Sequence, residues 1–234
     1  MLVDLLSASS INGLVTMGRG RSSYDLVPYI NPPREFWEAK STIRRRYDAV
    51  LIGTNTVLTN DPTMASHASS DHEVVRVTLD RTGRIPPHFK FLDGSVRTLI
   101  GVTGATPAGY LRFLEERGVE AVPCGEETTD LGLFLEGLRA RGISSVVCEG
   151  GGILNRALLD QGLVAHIHIL LLPVVLDAGS VNLFEGAGAP VPLHLEEVER
   201  IGDYLVLRYL IPSPLSPALS PVPGERGSGG EGPT

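Results

Sequence analysis

Glu149 is followed by Gly150, Gly151 and Gly152. A carboxylate can accept a hydrogen bond from a substrate or help to move a proton. Three glycines in a row are costly wherever the backbone could hold a side chain, so something must come very close to the main chain here. ISSVVCE (143–149) reads as a buried strand and ILNRALLDQG (153–162) as a helix, which makes the acid and the glycines a strand-to-helix turn. In a parallel sheet that turn lies at the carboxyl end of a strand, where open α/β sheets bind ligands. The helix behind it offers free N–H groups and a partial positive charge, and glycine lets a phosphate approach without meeting a Cβ. The spacing is neither the G-x-G-x-x-G dinucleotide fingerprint nor a Walker loop. One glycine here would mean only a tight turn with positive φ; three behind a carboxylate point to a ligand site.

A second turn has the same character. DAVLIG (48–53) is a strand ending in glycine, and Thr54, Asn55 and Thr56 place polar side chains just past it, before the stop at Asn60-Asp61-Pro62. Two such turns on one parallel sheet can face each other across a crevice. The cations are uneven too. Arg19, Arg21, Arg34, Lys40, Arg44, Arg45 and Arg46 put seven of the twenty Lys and Arg between 19 and 46. In an acidic chain this suggests an anion site, with a solvated helix face as the alternative.

Other side chains promise less. His166 and His168 share one face of a strand, but no third metal ligand accompanies them, so a structural role is expected and no metal site. Phe36 and Trp37 lie on a helix and read as packing. No Ser-His-Asp or Cys-His set is visible. Cys124 and Cys148 make no disulfide framework.

These residues need elements to hold them. Strands are expected at 3–9, 48–53, 74–80, 97–102, 119–124, 143–149, 165–176 and 203–210, and helices at 33–46, 106–118, 130–142 and 153–162. The alternation predicts an α/β fold: a mostly parallel central sheet with helices on both faces and an antiparallel C-terminal edge. Residues 1–211 form one domain, and the Pro-, Ser- and Gly-rich segment 212–234 is expected to be disordered. The net charge of −7 argues against a nucleic-acid binder. The longest apolar run, 169–176, is too short to span a bilayer, and the N-terminus has no basic signal-peptide region. A cytoplasmic protein of a reducing compartment is expected.

SASSINGLVTMGRGRSS, DAVLIGTNTVLTNDP, VTLDRTGRIP and CEGGGILNRALLDQGLVAHIHILLLPVVL occur in that order. Together they resemble the riboflavin-biosynthesis reductase family (RibD C-terminal-like), from about residue 3 to 210. The resemblance implies a dihydrofolate reductase-like fold, a homodimer and an NADPH-dependent reductase. Its substrate would be a phosphorylated small molecule, a 5-phosphoribosylamino-pyrimidine, whose ribose becomes ribityl. It also implies roles. Ser9 and the Ser10–Gly13 turn would line the nicotinamide end, and Thr56 and Asn60 would contact the cofactor. Gly150, Gly151, Gly152, Ile153 and Leu154, in a stretch reaching Ala157, would hold the cofactor phosphates. Arg84, with Arg81 beside it, would meet the 2′-phosphate. Ser22 or Ser23, Arg44, Met64 and Glu149 would lie by the substrate, with Arg44 holding the ribose phosphate or helping to, and Glu149 as the catalytic residue that hydrogen-bonds the substrate or tunes proton transfer.

The chain departs from the family pattern at Ser10-Ile11-Asn12-Gly13, where Ser-Leu-Asp-Gly is usual, at Asn60, where an acid is usual, and at His67, where the bifunctional enzymes carry Arg. Segment 24–36 is longer than the family pattern. These changes leave open a family reductase of another pterin-like or pyrimidine metabolite, or a nucleotide-binding relative without catalysis. The zinc deaminase motif P-C-x-x-C is absent from this sequence, and without it no H-x-E spacing makes a zinc site.

Overall fold

A computed structural model describes residues 1–63, 74–177 and 179–212. In chain order its strands are β1 (Leu2–Ser10), β2 (Leu14–Thr16), β3 (Ala49–Ile52), β4 (Val75–Leu79), β5 (Thr98–Val102), β6 (Glu120–Pro123), β7 (Ser145–Cys148), β8 (His166–Leu172), β9 (Val181–Asn182), β10 (His194–Ile201) and β11 (Tyr204–Leu210). The helices are α1 (Val27–Ile30), α2 (Arg34–Arg44), α3 (Thr54–Asn60), α4 (Ala108–Glu116), α5 (Leu131–Arg139) and α6 (Gly152–Asp160). Nine strands make one sheet in the order β10-β11-β8-β1-β7-β3-β4-β5-β6. From β8 to β6 every pairing is parallel. β11 runs antiparallel to β8, and β10 to β11. The expected α/β architecture with an antiparallel C-terminal edge is therefore present.

Parallel strands are covered on both faces, so they read as continuous apolar runs. All four residues of β3, Ala49 to Ile52, are buried. α2 and α4 pack Phe36, Ile43 and Leu114 against one face of the sheet. α5 and α6 pack Phe134, Leu138 and Leu158 against the other. α5 shows why such helices form where they do. The Asp130 side chain accepts a hydrogen bond from the Leu133 N–H at 2.9 Å, and Leu131, Phe134, Leu135 and Leu138 make its buried stripe.

The short elements α1, β2 and β9 were not expected, and three longer ones also differ from expectation. Residues 54–60 form a helix, α3, where only a polar turn was read; its single buried side chain, Val57, leaves no periodic signal. β8 stops at Leu172, ahead of Pro173, because proline has no N–H for the ladder. β10 was not foreseen. It is exposed over almost its whole length and shows no apolar alternation. Residues 213–234, expected to be a disordered tail, lie outside the described residues. No helix among the described residues is long and apolar enough to cross a membrane.

Candidate active site

β7 ends at Cys148, opposite Leu5 in the middle of β1. β1 runs on past it, so Leu6, Ser7 and Ala8 become one wall of a cavity of about 790 Å³. The ends of β3, β4 and β7, the first turns of α3 and α6, the loop after β2 and residues Leu183 and Glu185 supply the rest. The volume is in the range of small-molecule and cofactor sites.

The two glycine turns touch directly, at the ends of the adjacent strands β3 and β7, and do not face each other across a crevice. The Gly53 N–H donates to the Gly150 carbonyl at 2.8 Å, and a Cβ on Gly53 would stand only 2.8 Å from that oxygen. Gly150 and Gly151 have φ of 148° and 96°, which L side chains rarely adopt. A Cβ on Gly152 would run into the Asn182 carbonyl and the Glu185 backbone. Gly151 is the N-cap of α6 and no side chain caps that helix. The first N–H groups of α6 therefore remain to be satisfied from the cavity, which Gly151, Gly152, Ile153 and Leu154 line. A helix start of this kind can hold an anion, phosphate above all. Thr56 and Asn60 of α3 line the opposite side. The Asn60 Oδ1 is buried without a hydrogen-bond partner among the described residues. Further along, the Arg84 guanidinium donates to Asn55 Oδ1 at 3.0 Å.

Glu149 stands just beyond β7, directly before the glycines. Arg44, at the last turn of α2, donates to both of its carboxylate oxygens from Nε and Nη2. Lys40, one turn earlier on α2, places Nζ 3.4 Å from Oε2. The side chains of Arg44 and Glu149 are 6% and 7% exposed. Burial pulls the Arg44 pKa down, but the charge and hydrogen bonds of Glu149, together with Tyr24, outweigh it and raise it. Arg44 stays charged. The neighbouring Cys148 is no nucleophile: burial pushes its thiol up to about 12, and the Glu149 charge adds to this against the Gly150 N–H.

Thr56, Asn60, Arg84, Glu149 and the stretch Gly150 to Leu154 thus line one cavity. Arg44 stands beside it. It lines a small adjoining pocket of about 230 Å³ with Tyr24, Trp37, Lys40 and Ser41. Two expected residues turn away from the cavity. Ser9 is buried and its hydroxyl donates to the Ser10 carbonyl at 3.0 Å; Ser7 and Ala8 line the cavity instead. Ser22 caps a 3-10 turn by accepting from the Tyr24 N–H at 3.1 Å, and its neighbour Ser23 is the one on the cavity. Ser10 and Asn12 hold the β1–β2 turn, since Ser10 donates to Asn12 and Asn12 to the Leu176 carbonyl, each at 2.8 Å. Arg81 reaches the Glu127 carbonyl and does not line the cavity. Met64 and His67 lie outside the described residues.

Lys40 and the Arg19–Glu185 ion pair also line the cavity and had no individual role in the sequence reading. For Lys40 a signal existed. It stands four residues before Arg44, which puts both cations on one face of α2.

Residues 3–207 match the RibD C-terminal domain family. A 2,5-diamino-6-ribosylamino-4(3H)-pyrimidinone 5′-phosphate reductase of Methanothermobacter thermautotrophicus is 33% identical over 178 residues, covering 72% of this chain and 82% of that protein. RibD of Acinetobacter baumannii shares the fold with a TM-score of 0.74 at 22% identity, over 91% of this chain and 58% of that one. A pyrimidine reductase-like protein of Corynebacterium diphtheriae does so with a TM-score of 0.73 at 18% identity, over 91% and 92%. With a family match that spans nearly the whole described chain and a relative this similar, the chain belongs to the RibD C-terminal domain family.

Proposed function

We propose that this protein is an NADPH-dependent reductase of riboflavin biosynthesis, converting the ribose of a 5-phosphoribosylamino-pyrimidine to its ribityl form. One observation carries the reading. A single cavity has a glycine-built phosphate cradle on α6 and, directly before those glycines, a carboxylate flanked by two cations, Glu149 with Arg44 and Lys40. The residues fit the cofactor. Gly53, Gly150 and Gly151 keep Cβ atoms out of the cradle, α6 has no competing cap, and Arg84 stands ready for the 2′-phosphate that marks NADPH.

NADPH, when bound, supplies the hydride. The chain supplies position and charge. Thr56 and the first turn of α6 hold the dinucleotide, and Leu6, Ser7 and Ala8 wall its far side. Glu149 accepts a hydrogen bond from the ribose or takes part in the proton transfer that opens the sugar ring, and Arg44 fixes both of its oxygens. The cations around Glu149 favour an anionic substrate. The protein works in the cytoplasm as a homodimer, as the family resemblance implies.

A second reading, a reductase of another pyrimidine or pterin-like metabolite, is favoured by Asn60, a cavity-lining residue that is a neutral amide where the family has an acid. NADPH oxidation decides between them. It is assayed with 2,5-diamino-6-ribosylamino-4(3H)-pyrimidinone 5′-phosphate, the substrate in the archaeal relative's name, and with its 2-oxo counterpart. Turnover with either supports the first reading. NADPH binding without turnover of either leaves the second in front.

A further inference from the structure

We infer that Asp80, a buried carboxylate behind the cavity wall, is the positioning residue that lets Arg84 select a 2′-phosphorylated dinucleotide. The inference deepens the proposed function and rests on its reading of Arg84 as the contact for the 2′-phosphate.

Arg84 is an exposed residue on the turn after β4, and it lines the cavity. A long side chain in such a place has many rotamers to lose, so its grip on an anion depends on where the backbone holds its Cα. Here the backbone is held from behind. Asp80 directly follows β4 and is 1% exposed. Its Oδ1 accepts from the Arg84 N–H at 2.9 Å. Its Oδ2 accepts from the Ile85 N–H and from the Tyr110 hydroxyl of α4, each at 2.9 Å. Three donors thus meet one buried carboxylate, and hydrogen bonds to an ionised acceptor are the stronger kind. The Asp80 carbonyl also accepts from the Gly83 N–H at 3.3 Å, which closes the turn. Tyr110 contributes shape as well as a donor. Gly83 has φ of 67°, and a Cβ there would stand 2.8 Å from Cγ of the Tyr110 ring. The turn is wrapped on the ring whose hydroxyl it uses.

The far end of Arg84 is held too. Its guanidinium donates to Asn55 Oδ1 at 3.0 Å. The neighbouring Thr54 hydroxyl donates to the carbonyl of Leu79, the last residue of β4, which ties the start of α3 to the same turn. Asp80 therefore fixes the backbone of Arg84, and α3 fixes the direction of its side chain. Arg81, on the same turn, reaches the Glu127 carbonyl instead. Asp80 does not itself line the cavity, so its effect on a ligand passes through Arg84.

The test is the ratio of the NADH and NADPH dissociation constants, read by calorimetry, which needs no substrate. Asp80→Asn keeps the shape and turns an amide donor towards at least one of the two backbone N–H groups. It should lower the preference for NADPH severalfold, as far as Arg84→Ala does, and leave NADH affinity within about twofold. A merely structural loss would weaken both cofactors alike. In the double variant the preference should be no lower than in Arg84→Ala alone, because the two residues act as one unit. If Asp80→Asn does not fold, Gly83→Ala disturbs the same turn from the Tyr110 side and should lower the same ratio. An unchanged ratio in whichever of these two variants folds, or additive losses in the double variant, overturns the inference; with Arg84→Ala still lowering the ratio, the proposed function stands. If the wild type shows no preference, or Arg84→Ala leaves it unchanged, the reading of Arg84 falls and the inference falls with it.

Discussion

Two buried polar clusters lie at and just beyond the end of α2, and only one of them faces a cavity. Arg44, in the last turn of α2, holds Glu149 at the carboxyl end of β7. Tyr47, three residues on, belongs to the other cluster. Its hydroxyl donates to Asp4 on β1 and lies 3.2 Å from Nε2 of His168 on β8. Asp4 also accepts from the backbone N–H of His166 at 2.9 Å. Asp4, Tyr47 and His168 are 2%, 3% and 3% exposed, and none of them lines the cavity. Both clusters bury titratable groups. In the first, one carboxylate faces two cations across an opening. In the second, the groups satisfy one another inside the core. Burial pushes the Asp4 carboxyl up, but hydrogen bonds from His168 and Tyr47 and the charge of His166 outweigh it, and its pKa is lowered. Burial and the carboxylate of Asp4 push the Tyr47 phenol up. Perturbed groups therefore mark a functional site only where they also meet a space for a ligand.

Substituting one carboxylate from each cluster separates the two roles. Glu149→Gln keeps the shape and removes the charge. Turnover should fall about a hundredfold or more, the usual contribution of a positioned acid or base, and by more than substrate affinity does. Asp4→Asn should leave kcat of the folded enzyme within about twofold, since Asp4 touches nothing on the cavity. Steady-state kinetics on both variants check this, and equal losses in kcat would erase the distinction between the clusters.

Stability should show the reverse order for Asp4. Asp4→Asn should cost about 1–3 kcal/mol in urea unfolding, because Tyr47 and His166 lose a charged acceptor inside the core. The pH dependence has a definite sign. The Asp4 pKa is lower in the folded state than its ordinary value of 3.8. Its contribution is therefore fully present above 3.8 and is lost as pH falls through the folded value. The gap in stability between wild type and variant should be constant near neutrality and close below that pH. A gap that widens on acidification would show that another group carries the effect.

The cradle offers a smaller lever at the open end. Gly151→Val puts a β-branched side chain at φ of 96° and over the start of α6. NADPH affinity should weaken about tenfold or more, since strain of this kind costs about 1–3 kcal/mol and the side chain obstructs the phosphate. Calorimetry with NADPH checks it; unchanged affinity would place the dinucleotide elsewhere. Arg84→Ala should have a milder effect, lowering the preference for NADPH over NADH severalfold, as its guanidinium is tied only to Asn55. The ratio of the two dissociation constants is the readout.

The contrast between the clusters also explains what was legible in the sequence. The Gly150–Gly152 turn and the Gly53 turn announce themselves locally, because only glycine tolerates such backbone angles and approaches. Strand and helix runs such as AVLI and LGLFLEGLR carry their burial in their spacing. By contrast, the pairing of Arg44 with Glu149 joins residues 105 positions apart, and nothing in either neighbourhood specifies it. The same holds for Asp4 with Tyr47 and His168. His166 and His168 suggested a structural role, and both contact the buried Asp4, away from the cavity. Ser9 and Ser22 were plausible by position, but a side chain's direction depends on strand alternation and local capping. Ser9 is buried and its hydroxyl is taken up by the Ser10 carbonyl, and Ser22 is taken up by its own turn.

The smallest effect is expected from residues 213–234. β11 runs antiparallel to β8, and its last residue, Leu210, pairs with His166, which contacts Asp4. The chain therefore leaves the sheet at its closed end, away from the cradle and from Glu149. Ile211 still belongs to the domain: its N–H donates to the Ala165 carbonyl at 2.9 Å, and its side chain packs with the α5–α6 core cluster. Beyond Pro212 the sequence is Ser, Pro and Gly with few apolar residues, so it has little to bury. Removing 213–234 should shift the melting temperature by less than about 2 °C, a fraction of what 1 kcal/mol moves in a domain of this size, and leave kcat/KM unchanged. Truncating five residues earlier, after Leu207, removes half of the β8–β11 register and should be severely destabilising. Thermal unfolding of the two truncations side by side is the check. A large loss in the first would show that 213–234 packs against the closed end, and a loss of activity without a loss of stability would show that it reaches the open one.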